Sequence, residues 1–560
     1  MLASSYNNLF VSYVSPQDVS SLSSYVNDQN LAGYIMWEVK GDVDPVADSE
    51  HSLLAPLQSD AENGKQVQAY WTNWGVYSTT NPYPIPGSKS SSTGSTVSNA
   101  DLENKLNIIS HLVYSFMEVQ TSGDHIGSIY FSDTWSDLDP SDKFCADSAT
   151  SSICNYGVAS GRSLSDSAYM GNFEAFSQLR SSHPDLRLAF AVGGAGHDDS
   201  IESAFSSEQA MNNFADSAVA IMDHYDIQGI DLDYENTSMT HAQSQKFLQL
   251  VQTLSAKLKD GQFFNVTVLS SPHYLNGVSG GSAGFESGVL ASMQALPHFG
   301  TLNLMTYDFH GAYDYNSAGT GRTGFLSNVY DATETPAGYD AQFSVQSSVQ
   351  ALLKQGVTAD KINVGIPAYG RALAGIPAGE DGTGLFQVIP SSATIPVGDL
   401  DDPSCATGLP LGANSCSGSF SYSYIVNHFL PSGFTATDWT NNTNGVEHAS
   451  TAYAAQWDSS AAPSSSDNYT LEVTNMGADY GIVVKVGGID LDYLSNNGGD
   501  KNYNADSAVS IGAIEGKTDL DVRWSTWAGG PAGSCGKMDL TKNQYIMINA
   551  TTGACEIKSF

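Results

Sequence analysis

From residue 66 onward, short runs of continuous apolar character alternate with segments in which apolar positions recur every three or four residues. The runs at 66–77 (QVQAYWTNWGVY), 107–120, 186–194 (LRLAFAVGG), 228–235, 263–272, 301–309 (TLNLMTYDF) and 362–371 (INVGIPAYGR) have strand length and are too apolar for a half-exposed sheet. They predict strands covered on both faces. Between them, Phe214, Ala218, Ile221, Met222 and Tyr225 share one helical face, as do Phe247, Leu248, Val251, Leu254 and Leu258. Repeated strand–helix alternation of this kind predicts an α/β fold with a parallel sheet, and closure of that sheet as a (β/α)8 TIM barrel. Closure needs an eighth strand, for which 480–492 (YGIVVKVGGIDLD) is the candidate.

Three stretches break the pattern. Residues 79–100, rich in Ser, Thr, Pro and Gly, read as a long loop over the barrel mouth. Residues 374–460 are too long for a connection and predict a small α+β insertion after the seventh strand. The barrel is therefore expected over 66–500, with that insertion inside it. Residues 505–560 form a C-terminal segment with Trp524, Trp527 and one cysteine pair, and have no role that the sequence assigns.

Composition narrows the partners. With 22 Lys and Arg against 59 Asp and Glu, the 560-residue chain carries a net charge of −37, so there is no basic surface to meet nucleic-acid phosphates. A neutral polysaccharide would not be repelled. No apolar run is long enough to predict a membrane-spanning helix. The six cysteines fall into close pairs, Cys145/Cys154, Cys405/Cys416 and Cys535/Cys555, in loop-like surroundings. Such pairs suit small disulfide loops in an oxidising compartment, and their spacing does not suit zinc. Sequons at Asn236, Asn265, Asn441, Asn468 and Asn549 agree with a secreted, extracellular protein. The start Met1-Leu2-Ala3-Ser4-Ser5-Tyr6 lacks the basic and apolar stretches of a signal peptide. The signal is then expected upstream, or export is unconventional.

The candidate chemistry lies in Gly229-Ile230-Asp231-Leu232-Asp233-Tyr234-Glu235. Alternate residues of a strand share a face, so Asp231, Asp233 and Glu235 point to one side. Three readings are open. The acids repel one another and hold a proton on the outermost, as a general acid requires. Alternatively they bind a metal, although same-face neighbours roughly 6.6 Å apart converge poorly on a cation that wants oxygens at about 2.4 Å. Or the strand is incidentally acidic on a solvated face, which Ile230 and Leu232 on the other side argue against. Catalysis is the favoured reading, with no cofactor and no metal.

This run resembles the signature of the family 18 glycoside hydrolases, the chitinases, in which Asp-x-x-Asp-x-Asp-x-Glu closes the fourth barrel strand. The resemblance covers roughly residues 66–495. Tyr70-Trp71-Thr72-Asn73-Trp74 is similar to the first-strand motif and Gly193-Gly194 to the third-strand Ser-x-Gly-Gly. Met305-Thr306-Tyr307-Asp308 is similar to the sixth-strand motif and Gly365-Ile366-Pro367-Ala368-Tyr369-Gly370-Arg371 to the seventh. The resemblance implies retaining hydrolysis without a carboxylate nucleophile. In that scheme Glu235 protonates the glycosidic oxygen, and the substrate's own acetamido group attacks the anomeric carbon. Asp233 orients that group, Tyr307 hydrogen-bonds its carbonyl, and Asp231 shares a proton with Asp233. Tyr70, Trp74, Gly193, Gly194, Met305, Asp308 and Arg371 line the sugar site. The implied partner is chitin or another N-acetylglucosamine oligosaccharide. A non-catalytic chitin-binding lectin and an endo-β-N-acetylglucosaminidase are the alternatives.

The chain departs from the family pattern in three places. Gln228 stands for the first signature Asp, Ala191 for the third-strand Ser, and Gly487-Gly488 where the last strand should carry a Trp. A better last strand lies elsewhere. Asn30-Leu31-Ala32-Gly33-Tyr34-Ile35-Met36-Trp37-Glu38-Val39-Lys40-Gly41-Asp42 resembles it, complete with the Trp. Residues 1–57 are read either as the tail of a preceding domain of the same family, the favoured reading, or as a permuted last strand and helix of this barrel. In the second case Trp37 becomes the floor of the sugar site. Among the other tryptophans Trp71 or Trp74 is the expected sugar platform, and His310 is expected to be structural.

Overall fold

The computed structural model describes residues 9–138 and 169–430, apart from breaks at 79–81, 91–92, 276–283, 333–334, 337–338, 341, 380–382 and 403, and beyond them strand segments between 436 and 559. Two compact units are present, one made of Phe10–Val426 with Ala436–Ala455, the other largely of residues from Gln456 onward.

In chain order the elements that build the first unit are β1 (Leu9–Tyr13), α1 (Pro16–Asp28), β2 (Gly33–Trp37), β3 (Gln66–Thr72), β4 (His111–Val119) and β5 (Arg187–Gly193). There follow α2 (Asp198–Ala204), α3 (Glu208–Tyr225), β6 (Gly229–Tyr234), α4 (His241–Lys257), β7 (Phe263–Leu269), β8 (Phe299–Met305), α5 (Val345–Lys354), β9 (Ile362–Pro367), β10 (Tyr369–Leu373) and β11 (Ser419–Ser421). Strands β3 to β9 pair in parallel, each with the next. The gap between β9 and β3 is filled by β2, parallel to both. The result is a closed eight-stranded (β/α)8 barrel.

The strand that closes the barrel thus precedes the other seven in the chain. This differs from the expectation that 480–492 supplies it. Ile482–Val486 instead pairs antiparallel with Ile489–Leu494 and with Leu520–Thr526, while Gly487 and Gly488 lie outside the described residues. The physical reason is that a short apolar run reads equally well as a strand of an antiparallel sheet and as a strand of a barrel. Within the segment before residue 57, Gly33–Trp37 is a strand of this barrel. Leu9–Tyr13 pairs antiparallel with β10, which in turn pairs with β11, so the chain enters through the sheet of the insertion before it reaches the barrel.

Local chemistry fixes that entry. Ser15 caps α1 in a reciprocal box with Asp18, and Pro16 occupies the first turn where no amide donor is needed. Val19, Leu22, Tyr25 and Val26 bury one face of the helix. At the start of β2, a Cβ on Gly33 would lie 2.0 Å from the Gln66 carbonyl oxygen, so only glycine lets β2 reach β3. Beyond it Tyr34, Ile35 and Met36 are wholly buried.

The insertion has a small core of its own, in which Phe10, Phe325, Leu373, Ile376, Leu385 and Ile395 pack around Cys416. Cys416 is bonded to Cys405. Cys535 is also disulfide-bonded, and Cys145 and Cys154 lie outside the described residues. The second unit contains two four-stranded sheets whose strands run from Leu471 to Ser559. These strands fall within Gln456–Phe560, the largest part of the second unit.

Inside the barrel the filling is partly polar. Gln68, Asn265, Thr301, Asn303 and Asn363 are all buried and bonded to one another. Asn265, a sequon asparagine, is one of them and is closed to glycan attachment in the folded chain. Such a network is tolerated because nearly every donor finds an acceptor.

Candidate active site

Strand β6 carries the acids. Its inward positions are Asp231 and Asp233, and Glu235 stands just past its end, at the mouth. Asp231 is fully buried and accepts from the Tyr70 hydroxyl at 2.8 Å, the Thr267 hydroxyl at 2.8 Å and the Asn303 amide at 3.2 Å. Burial nevertheless raises its carboxyl to about 6. Asp233 is raised by burial first, then by Glu235 and Asp231, and one of its oxygens has no partner among the described residues. Glu235 is pushed up to about 7, by burial first and then by Asp198 and Asp308. Repulsion along the row therefore acts on Asp233, whereas the charges that act on Glu235 come from other elements.

Above β6 opens a cleft of about 790 Å³, lined by Asp233, Glu235 and Tyr307. Trp37, at the end of β2, forms part of its lining and packs against Tyr70, Phe116 and Trp74 with ring centroids 5.5, 5.7 and 6.3 Å away. Trp74 is 49% exposed on this wall, while Trp71 is buried in the core with its indole N–H on the Tyr83 carbonyl. Of the two candidate platforms only Trp74 is available to a sugar.

Gly193 and Gly194 line the same cleft; a Cβ on Gly194 would approach the Phe116 ring to 2.9 Å. Met305 also faces the cleft, as do Asp308 and Arg371, joined by two charge-assisted bonds at 2.8 and 2.7 Å. Arg371 reaches on to the Ser419 hydroxyl at 2.7 Å. Tyr307 is half-buried, edge-on against Tyr369, and desolvation raises its hydroxyl well above the usual range, so it remains a donor. The candidate catalytic and sugar-lining residues other than Trp71 are gathered here, Asp231 lying just beneath the cleft.

The departures acquire physical content. Ala191 lacks a hydroxyl, but Thr267 on β7 supplies one to Asp231. Gln228 sits below β6, where its amide accepts from the Leu188 backbone N–H at 3.0 Å, far from the mouth. His310 stacks on Tyr339 at 4.5 Å and bonds Asp314 at 3.1 Å, a structural setting. Among the described residues no group of three or more His, Cys, Asp or Glu side chains is arranged to hold a metal ion.

Sequence reasoning missed Thr267, Asn303 and Asp198. The first two had a signal: Asn265 and Thr267 in β7, and Thr301 and Asn303 in β8, are polar residues two apart in otherwise apolar strands. Asp198 had none, because its approach to Glu235 depends on the turn after β5.

Residues 66–466 match the family model described as "Glycosyl hydrolases family 18". The chain is 24% identical over 327 residues to "Chitinase 1" of Aphanocladium album, a match that covers 57% of this chain and 66% of that protein. It is 25% identical over 334 residues to "Endochitinase 1" of Metarhizium robertsii, covering 57% and 65%. The chain thus spans about two thirds or less of the length of these curated relatives. Among solved structures, chitinase ChiA74 from Bacillus thuringiensis is similar with a TM-score of 0.49 and 16% identity, over 86% of each chain.

Proposed function

The chain belongs to family 18 of the glycosyl hydrolases, and from that premise we propose that it hydrolyses β-1,4-linked N-acetylglucosamine polymers, chitin and chito-oligosaccharides, with retention of configuration. The observation that carries this reading is Glu235, at about 7, in one cleft with Asp233, Tyr307 and Trp37.

A sugar ring stacks on Trp37, with its acetamido group turned toward Asp233 and Tyr307. Glu235 gives its proton to the glycosidic oxygen as the bond to the anomeric carbon breaks. The acetamido carbonyl oxygen takes the vacated place on that carbon, giving an oxazolinium ion. Asp233 accepts the acetamido N–H and offsets the positive charge, and the Tyr307 hydroxyl donates to the carbonyl oxygen. Water then attacks the anomeric carbon from the side the leaving group left, and Glu235, now a carboxylate, takes its proton. Two inversions leave the configuration unchanged. Asp231, held by Tyr70, Thr267 and Asn303, keeps a second carboxyl under Asp233 and so favours a proton in the pair.

The Cys405–Cys416 bond supports an oxidising, extracellular setting. The test is turnover of a chito-oligosaccharide by wild type and Glu235→Gln. The variant is expected to lose on the order of 10²–10⁴-fold in kcat while still binding the sugar. Binding without turnover by the wild type would make the protein a lectin, and equal turnover by the two would remove Glu235 from the reaction.

A further inference from the structure

The short helix α2 lies against the acid-bearing strand, and nothing in the sequence motifs involves it. Gly193 and Gly194 end β5 in left-handed conformations, and the Gly194 N–H donates to the Asp233 carbonyl at 3.0 Å. This close approach sets α2 down beside the end of β6, with Ile201 and Ala204 buried beneath it.

Two acids of α2, one turn apart, then meet the segment that carries Glu235. The Glu202 carboxylate accepts from the Tyr234 hydroxyl at 2.8 Å, the Asn236 amide at 2.6 Å and the Gln243 amide at 2.7 Å. Tyr234 and Asn236 are the immediate neighbours of Glu235, so one carboxylate grips the chain on both sides of the acid and ties it to the first turn of α4. Asp198 takes the Glu235 backbone N–H, and its other oxygen is buried with no partner among the described residues. That carboxylate faces Glu235 and Asp233 on the β6 segment, Glu202 and Asp199 on its own helix, His197 before it and Tyr274 after β7.

We propose that Asp198 and Glu202 are positioning residues for Glu235, Glu202 fixing where the acid stands and Asp198 keeping it protonated. The inference rests on the hydrolase reading above. Three charge-assisted bonds to one carboxylate hold the backbone on either side of Glu235, and a displacement near 1 Å at a proton donor costs up to about 10²-fold in rate. Asp198 is the first charged group to act on Glu235 after burial, and a like charge in a half-buried setting opposes ionisation.

The experiment measures kcat and KM against pH for wild type, E202A, E202Q, D198N and D199N on a chromogenic chito-oligosaccharide. In parallel, the Glu235 carboxyl is titrated by carbon-13 NMR in the full chain. E202A should lose roughly 10–100-fold in kcat with KM little changed, and E202Q, which keeps an acceptor oxygen, should recover much of it. D198N should move the alkaline limb and the Glu235 titration down by about one pH unit, while D199N, at an exposed neighbour, moves neither. The inference is overturned by wild-type kcat in E202A, or by an unmoved Glu235 titration in D198N. A wild type without turnover would sink the hydrolase reading alone, since the NMR titration decides the role of Asp198 without it. D198N is nearly isosteric, so its titration also stands if E202A fails to fold.

Discussion

Asp231 stays in the barrel interior because three side chains donate to it, and one of these is replaceable without changing shape. Thr267→Val keeps the volume and removes the hydroxyl, leaving Asp231 with Tyr70 and Asn303. The expected cost is about 1–2 kcal/mol in stability, measured by urea unfolding, together with a lowered kcat. Restoring a hydroxyl from the opposite side, by adding Ala191→Ser to the Thr267→Val variant, should recover part of both. The acid itself sets a pH limit. In the proposed mechanism Glu235 must be protonated to act, and its carboxyl is held at about 7, so kcat/KM is expected to fall as pH rises through about 7. An alkaline limb centred near the ordinary glutamate value, 4.5, would contradict the burial and the neighbouring charges that raise it.

At the scale of elements, β2 decides whether a barrel exists. It fills the gap between β9 and β3, and its last residue brings Trp37 to the cleft. A chain beginning after residue 57 would leave the edges of β3 and β9 unpaired and an apolar seam open. Such a truncation is expected to be insoluble or to lack a cooperative melt, whereas removal of a detached tail would leave the melting curve unchanged. Trp37→Ala, which keeps β2, should instead raise KM strongly with a folded protein, because the stacking surface goes while the strand pairing stays.

For the whole molecule, burial and net charge push stability the same way with pH. Asp231 and Asp137 are raised from 3.8 to about 6 and about 7 in the folded chain, both chiefly by burial. A folded pKa above the unfolded one means that the native state binds more protons. The stability this gives is full below about pH 4 and is lost as pH rises through 6 and 7. For Asp231 the loss is on the order of 3 kcal/mol. The net charge of −37 adds self-repulsion over the same range. Tm is expected to be higher near pH 5 than near pH 8. Added salt should recover the part due to repulsion and leave the part due to burial, since buried groups are screened little. A Tm that rises from pH 5 to 8 would contradict both terms.

The sequence by itself determined the barrel class and the facing row Asp231, Asp233 and Glu235, and its resemblance to family 18 picked out the aromatic and Arg371 motifs. Each is written in a local period or a short contiguous run, and strand alternation fixes which side chains share a face. It also held the correct last strand, in the Gly33–Trp37 run with its Trp. What it left open was where that run belongs, because the pairing of β2 with β9 joins residues over 300 positions apart and has no local signature. Tertiary structure alone decided that 482–486 joins an antiparallel sheet, that Thr267 does the work of the missing hydroxyl at Ala191, and that Asp198 and Glu202 stand beside Glu235. Those contacts arise where separate strands and a turn converge at the barrel mouth, and convergence of that kind is set by closure of the whole sheet.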